Sequence, residues 1–263
     1  MTASSVTVSA PEEELREKTK ALAGLQQELT EKELLLSTCK RDLHLFEQHY
    51  QRQVGAKYAE LDEIRASILE LAFRLDPHRE DLEINARAAR EDASQSSRDA
   101  RNDGAHADKA PEKKPPPTEQ LKKSFREAAR KIHPDLATDK KQRARRHGLM
   151  TRLNQAYQEM DSGKIKAILD EWEEEAPSQS ALTVGKRLVR AIRQIAQVKE
   201  RLDAIRQELA QLQGSEMYKL KERVDAVKRN GRDVIGEMTA DIEAKISRVK
   251  SGILRLSDEL TYL

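Results

Sequence analysis

The chain has 263 residues, of which 36% are charged and only 3% aromatic, and its formal net charge is +2. Apolar residues come as spaced stripes, not blocks, which argues against an enzyme built around one large core; no run of about 18 apolar residues offers a membrane span. Cys39 is the only cysteine and Met1-Thr2-Ala3-Ser4-Ser5 lacks the basic and apolar parts of a signal peptide, so no intrachain disulfide is possible and a reducing, cytoplasmic setting is expected.

The first predicted element is a coiled-coil helix over residues 12–76. Pro11 and Glu12-Glu13-Glu14 suit a helix start. Leu15, Leu22, Leu29, Leu36, Leu43 and Tyr50 recur every seven residues, and Leu25, Cys39 and Phe46 fill complementary positions interrupted by Lys18 and Lys32. At Val54 the phase shifts by a four-residue step, and Leu61, Ile64, Ile68, Leu71 and Leu75 continue the stripe. Such a stutter unwinds a supercoil locally without ending it. Asp76-Pro77-His78 closes the helix, and a short helix is predicted within 77–93. Residues 94–117, with three serines, Gly104 and a run of prolines, read as a flexible linker with little apolar material to offset ordering.

The central segment, 118–172, carries the only pattern that suggests a defined site. Leu121, Phe125, Ala128, Ala129 and Ile132 share one helical face, while Lys122, Lys123, Arg126, Arg130 and Lys131 cover much of the rest. His133-Pro134-Asp135 follows. Proline cannot continue the helix and biases the residue before it towards extended backbone, so the helix should stop at or just before His133. Leu149, Leu153, Ala156, Tyr157 and Met160 form a second stripe, and a hairpin would bury the two stripes together. Ile165, Ile168, Leu169 and Trp172 form the apolar face of a further helix, in which the single tryptophan reads as core.

Residues 173–184 are acidic, then polar, and read as a second linker. Over 185–260 the stripe resumes. Leu188, Ala191, Ile195, Val198, Leu202, Ile205, Leu209 and Leu212 keep a near-continuous heptad, Gly214-Ser215 interrupts it, and Asn230-Gly231 marks a bend before a last stripe. The fold class expected is therefore all-α: a helical hairpin module between long coiled-coil helices that either fold back on one another or pair across a homo-oligomer.

The central segment resembles a J domain, the co-chaperone module that docks on DnaK-type ATP-dependent chaperones. Leu121–Ile132 is similar to helix II of that family, Lys131-Ile132-His133-Pro134-Asp135 to its exit, and Arg143–Met160, with Leu153-Asn154-Gln155-Ala156-Tyr157, to helix III. The likeness covers about a fifth of the chain. It implies that Lys122, Lys123, Arg126, Arg130 and Lys131 face an acidic surface of the chaperone. It also implies that His133, Pro134 and Asp135 contact the junction of its nucleotide-binding and substrate-binding parts, stimulating ATP hydrolysis on behalf of a client. One departure stands out: the residues where helix I belongs, ending in Pro115-Pro116-Pro117, cannot form it, and the helix containing Trp172 is a candidate substitute.

Two other readings share these residues. From Glu119 to Arg152 eleven basic side chains face four acidic ones, a balance that nucleic-acid binding would also use. That reading leaves His-Pro-Asp without a role and supplies no recognition helix past Pro134. The chain could also be a structural scaffold with a degenerate J-like insert. His44 and His49, five apart and without a cysteine cluster, do not make a metal site, and no phosphate loop or nucleophile elbow occurs. Neither cofactor nor catalytic residue is expected. The partners expected are a DnaK-type chaperone and a client or helical protein.

Overall fold

A computed structural model describes residues 10–102, 116–137, 139–174 and 183–261, with side chains given except at 101–102, 174 and 254–261. Among these residues the chain is all-α and contains no strand. The helices are α1 (Ala10–Tyr50), α2 (Ala56–Leu75), α3 (Glu80–Asn102), α4 (Glu119–Ile132), α5 (Lys140–Gln158), α6 (Ser162–Glu174), α7 (Val184–Gly214), α8 (Glu216–Lys228) and α9 (Val234–Thr261). A π-helical turn, Gln51–Gly55, joins α1 to α2, and a 3-10 turn, Pro134–Leu136, lies between α4 and α5. The helices pack on several sides within two compact units, which goes beyond a hairpin flanked by simple coils.

The first unit combines the chain up to Asp42 with Pro115–Gly214. Its central core joins Leu121, Phe125 and Ile132 of α4 to Leu149, Leu153 and Tyr157 of α5 and Ile165 and Ile168 of α6. Phe125 and Tyr157 sit ring to ring, with centroids 4.9 Å apart and planes tilted by 56°. Leu34 of α1 enters the same core. A neighbouring core forms where the heptad residues Leu22, Leu29 and Leu36 of α1 meet Val198, Leu202, Ile205 and Leu209 of α7.

Helix α1 therefore buries two faces. The leucine heptad meets α7. A second stripe at three-four spacing, Thr30, Glu33, Leu34, Ser37 and Arg41, is also buried, and four of its five members are polar. Two contacts from this side of α1 reach the hairpin directly. Ser37 Oγ donates to Asn154 Oδ1 at 2.8 Å, and the Thr38 hydroxyl lies 2.9 Å from that of Tyr157. In this unit α1 therefore packs against the α4–α5 hairpin through Leu34, Ser37 and Thr38.

The second unit combines Leu43–Lys114 with Ser215–Leu263. Val54 and Leu61 pack with Val224, Ile235, Ile242 and Ile246. Helices α2 and α3 form an antiparallel pair across the Asp76 turn. Buried alanines seven residues apart, Ala59 and Ala66 on one helix and Ala86 and Ala93 on the other, allow them to approach closely. Arg90 forks onto Glu70 and Glu63 at 2.5–2.8 Å, and Ser96 donates to Asp62. Residues 94–102, expected in a linker, thus continue α3, while 103–115 lie outside the described residues. Ser215 caps α8 by accepting from the Tyr218 amide, and Gly231, at φ +80°, makes the turn before α9, a backbone conformation that favours glycine.

Candidate partner-docking site

Local sequence chemistry fixes both ends of the α4–α5 connection. Thr118 caps α4, its hydroxyl accepting from the Leu121 amide at 3.2 Å. The helix ends at Ile132 because Pro134 holds His133 in an extended conformation, φ −56° and ψ 131°. The carbonyls left open at the end of α4 find a donor in α5: Arg146 Nη1 bonds the oxygens of Lys131 and His133 at 3.0 and 3.1 Å. Asp139 then caps α5 by accepting from the Gln142 amide. The cation of Arg146 also lies 4.5 Å from the centre of the Trp172 ring, with Arg145 at 5.4 Å, so the tryptophan is partly buried core on one side and a cation platform on the other. Burial and the like charges of Arg190 and Arg145 lower the pKa of Arg146.

His133 is 2% exposed and acts as a junction. Its Nδ1 accepts from the Asp135 amide at 3.2 Å, which leaves Nε2 to face Glu33 Oε1 at 3.3 Å. With Nδ1 as the acceptor, the Nε2–H of the ring donates to that carboxylate. Glu33 also takes Arg201 Nε of α7 at 2.8 Å. Arg201 continues to Glu208 at 2.8 Å, and Glu208 to Lys40 at 2.8 Å. Burial pushes the Glu33 carboxyl up, but the hydrogen bonds from His133 and Arg201 outweigh it and hold its pKa below the usual value. The turn is also held through Leu136, whose carbonyl accepts from Gln194 and whose side chain packs at the α1–α7 core.

Asp135 is the poorly satisfied member. Its Oδ2 is buried and accepts no hydrogen bond, with His133 Nδ1 no nearer than 3.7 Å. Burial raises its pKa despite the nearby charges of Arg201 and Arg143. A recess of about 560 Å³ opens on this turn, lined by Asp135, Arg143, His147, Asn154 and Arg201.

The five basic residues expected to form a docking face are divided. Lys123 and Arg130 are exposed. Lys122 pairs with Glu119 at 2.8 Å, Lys131 with Glu127 and Glu173 at 3.2 and 2.6 Å, and Arg126 is turned onto Glu31 of α1 at 3.1 Å. Sequence reasoning missed the residues that hold the turn, Glu33 and Arg201. Each lies next to a heptad leucine or among polar residues, and their pairing across 168 positions leaves no local signature. The one available signal was the second three-four stripe of α1, hidden because it is mostly polar. Among the described residues no cluster of three or more histidine, cysteine or acidic side chains could hold a metal ion, and no helix is long and apolar enough to cross a membrane. Comparison with protein-family models, curated proteins and solved structures finds no match to this chain.

Proposed function

We propose that the chain is a co-chaperone that docks on a DnaK-type chaperone through the His133-Pro134-Asp135 turn, stimulates ATP hydrolysis and directs the chaperone to a client. The observation that carries this reading is Asp135. A buried acceptor without a donor costs stability, and a turn kept only for structure would gain by replacing it. An unsatisfied carboxylate beside an open recess suits a partner that brings its own donor. Lys123 and Arg130, exposed on the adjoining helix, would steer the encounter.

In this reading α1 has two roles. Through Leu34 it supplies packing that helix I would provide in a complete J domain, and together with α7 it clamps His133 through Glu33 and Arg201. Docking that engages the imidazole requires the clamp to open. The burial of His133 favours one rival, a scaffold in which the same turn is purely structural. Single-turnover ATP hydrolysis by the cognate chaperone separates them. Stimulation that is lost on His133→Gln and enhanced on Glu33→Ala supports docking; equal, absent stimulation by all three proteins supports the scaffold.

A further inference from the structure

A second cleft lies within the first unit, between the start of α5 and the first half of α7. It encloses about 710 Å³ and is lined by Lys140 and Arg143 on one side and Lys186, Arg190 and Arg193 on the other. The only acidic side chain in its lining is Asp139, which is occupied in capping α5. No ion pair to these five cations occurs among the described residues. Elsewhere about half of the described basic side chains are ion-paired, as at Lys40–Glu208, Arg90–Glu70 and Arg152–Glu171.

The α7 cations are spaced four and three residues apart and so share one helix face. Like charges at this spacing destabilise a helix. Arg190 extends the strain to α5, where its charge contributes to lowering the pKa of Arg146. An anion in the cleft would relieve all of these repulsions together. From Lys186 to Arg193 the stripe runs roughly 10 Å along the helix, too long for one phosphate to serve. The ligand therefore carries several negative charges in sequence.

We infer that this cleft binds an extended acidic polypeptide segment. Guanidinium groups form forked hydrogen bonds with carboxylates, and acids at every second residue of an extended chain recur at about 7 Å, matching the reach of the stripe. Gln194 adds an amide beside the cations. The cleft is concave, whereas duplex grooves receive a protruding element. Its lining holds no aromatic ring on which the bases of a single strand could stack; its exposed apolar member is the aliphatic Val189. The site does not require that any chaperone dock at the His133 turn.

The test is fluorescence anisotropy of the full chain with a labelled oligoglutamate, a labelled oligothymidylate of the same charge, and unlabelled pyrophosphate as competitor. Oligoglutamate binding is expected to weaken at least about tenfold in Arg190→Glu/Arg193→Glu, a loss of one or two charge-assisted contacts. Lys219→Glu/Lys245→Glu, which makes the same charge change far along the chain, should bind within about twofold of wild type. Arg190→Gln/Arg193→Gln removes the repulsion, so it should melt no lower than wild type and still bind weakly, which separates lost binding from lost folding. Tighter binding of oligothymidylate, equal weakening in both charge-reversed proteins, or displacement by pyrophosphate as effective as by peptide would each overturn the proposal.

Discussion

Two carboxylates at the His133 turn have opposite electrostatics, and each makes a prediction. Glu33 is 3% exposed with its pKa below the ordinary 4.5, so its contribution to stability is fully present at neutral pH and is lost as pH falls from 4.5 through its lower folded value. Glu33→Gln should cost about 1–2 kcal/mol at pH 7, from a weakened charge-assisted pair, and flatten the acid limb of a stability–pH profile measured by urea unfolding. Asp135 has the opposite sign. Its folded pKa lies above the ordinary 3.8, so it carries a penalty at neutral pH that is relieved as pH falls through that raised value. Asp135→Asn should therefore raise the melting temperature by roughly 2–4 °C at pH 7, with the gain vanishing below pH 3.8, while abolishing chaperone stimulation. A lower melting temperature would make Asp135 a structural residue. The motif itself was legible in the sequence, because proline and its neighbours dictate the turn; the burial of His133 was not, because Glu33 lies a hundred residues away.

Helix α1 shows how much of an element periodicity reveals. The leucine heptad announced one buried face, and the four-residue step at Val54 marked the place where the structure inserts the π-helical turn Gln51–Gly55, which absorbs the change of phase without ending the helix. Gly214-Ser215 and Asn230-Gly231 likewise became a capped junction and a left-handed turn. The second face of α1 escaped notice because Thr30, Glu33, Ser37 and Arg41 read as solvent-facing. Residues 94–102 escaped for a related reason: they read as a polar linker, yet Ser96 donates to Asp62 of α2. Adjacent leucines test the two-faced helix. Leu34, 6% exposed, sits in the α4–α5 core, whereas Leu35 is 48% exposed. Leu34→Ala should cost about 2–4 kcal/mol and Leu35→Ala less than about 0.5 kcal/mol by denaturant unfolding. Equal costs would mean that α1 does not support the hairpin.

At the scale of the whole molecule, the central segment draws its packing from residues far away in the chain. Linker-like residues flank 118–172 in the sequence, and Leu34, Ser37 and Thr38 of α1 add to its core and polar contacts. A fragment spanning 115–176 is expected to show narrow amide dispersion by NMR, and a longer polypeptide that joins it to 10–42 and 183–214 to show dispersed peaks; a well-dispersed short fragment would show that α1 is dispensable. Self-association, expected from the heptads, would have to use what the intrachain cores leave over, and Leu71, Leu75 and Ile84 of the second unit, 50–74% exposed, offer that surface. Sedimentation velocity should show a smaller species for Leu71→Glu/Leu75→Glu than for wild type, and identical profiles would remove this surface from consideration. The most direct test of the docking proposal is single-turnover ATP hydrolysis by the cognate DnaK-type chaperone with wild type, Glu33→Ala, and Glu33→Ala/His133→Gln. Opening the clamp should give stimulation equal to or above wild type, and removing the imidazole from the opened protein should return hydrolysis to the chaperone's basal rate. No stimulation by Glu33→Ala, or stimulation that survives loss of His133, would contradict docking through this turn.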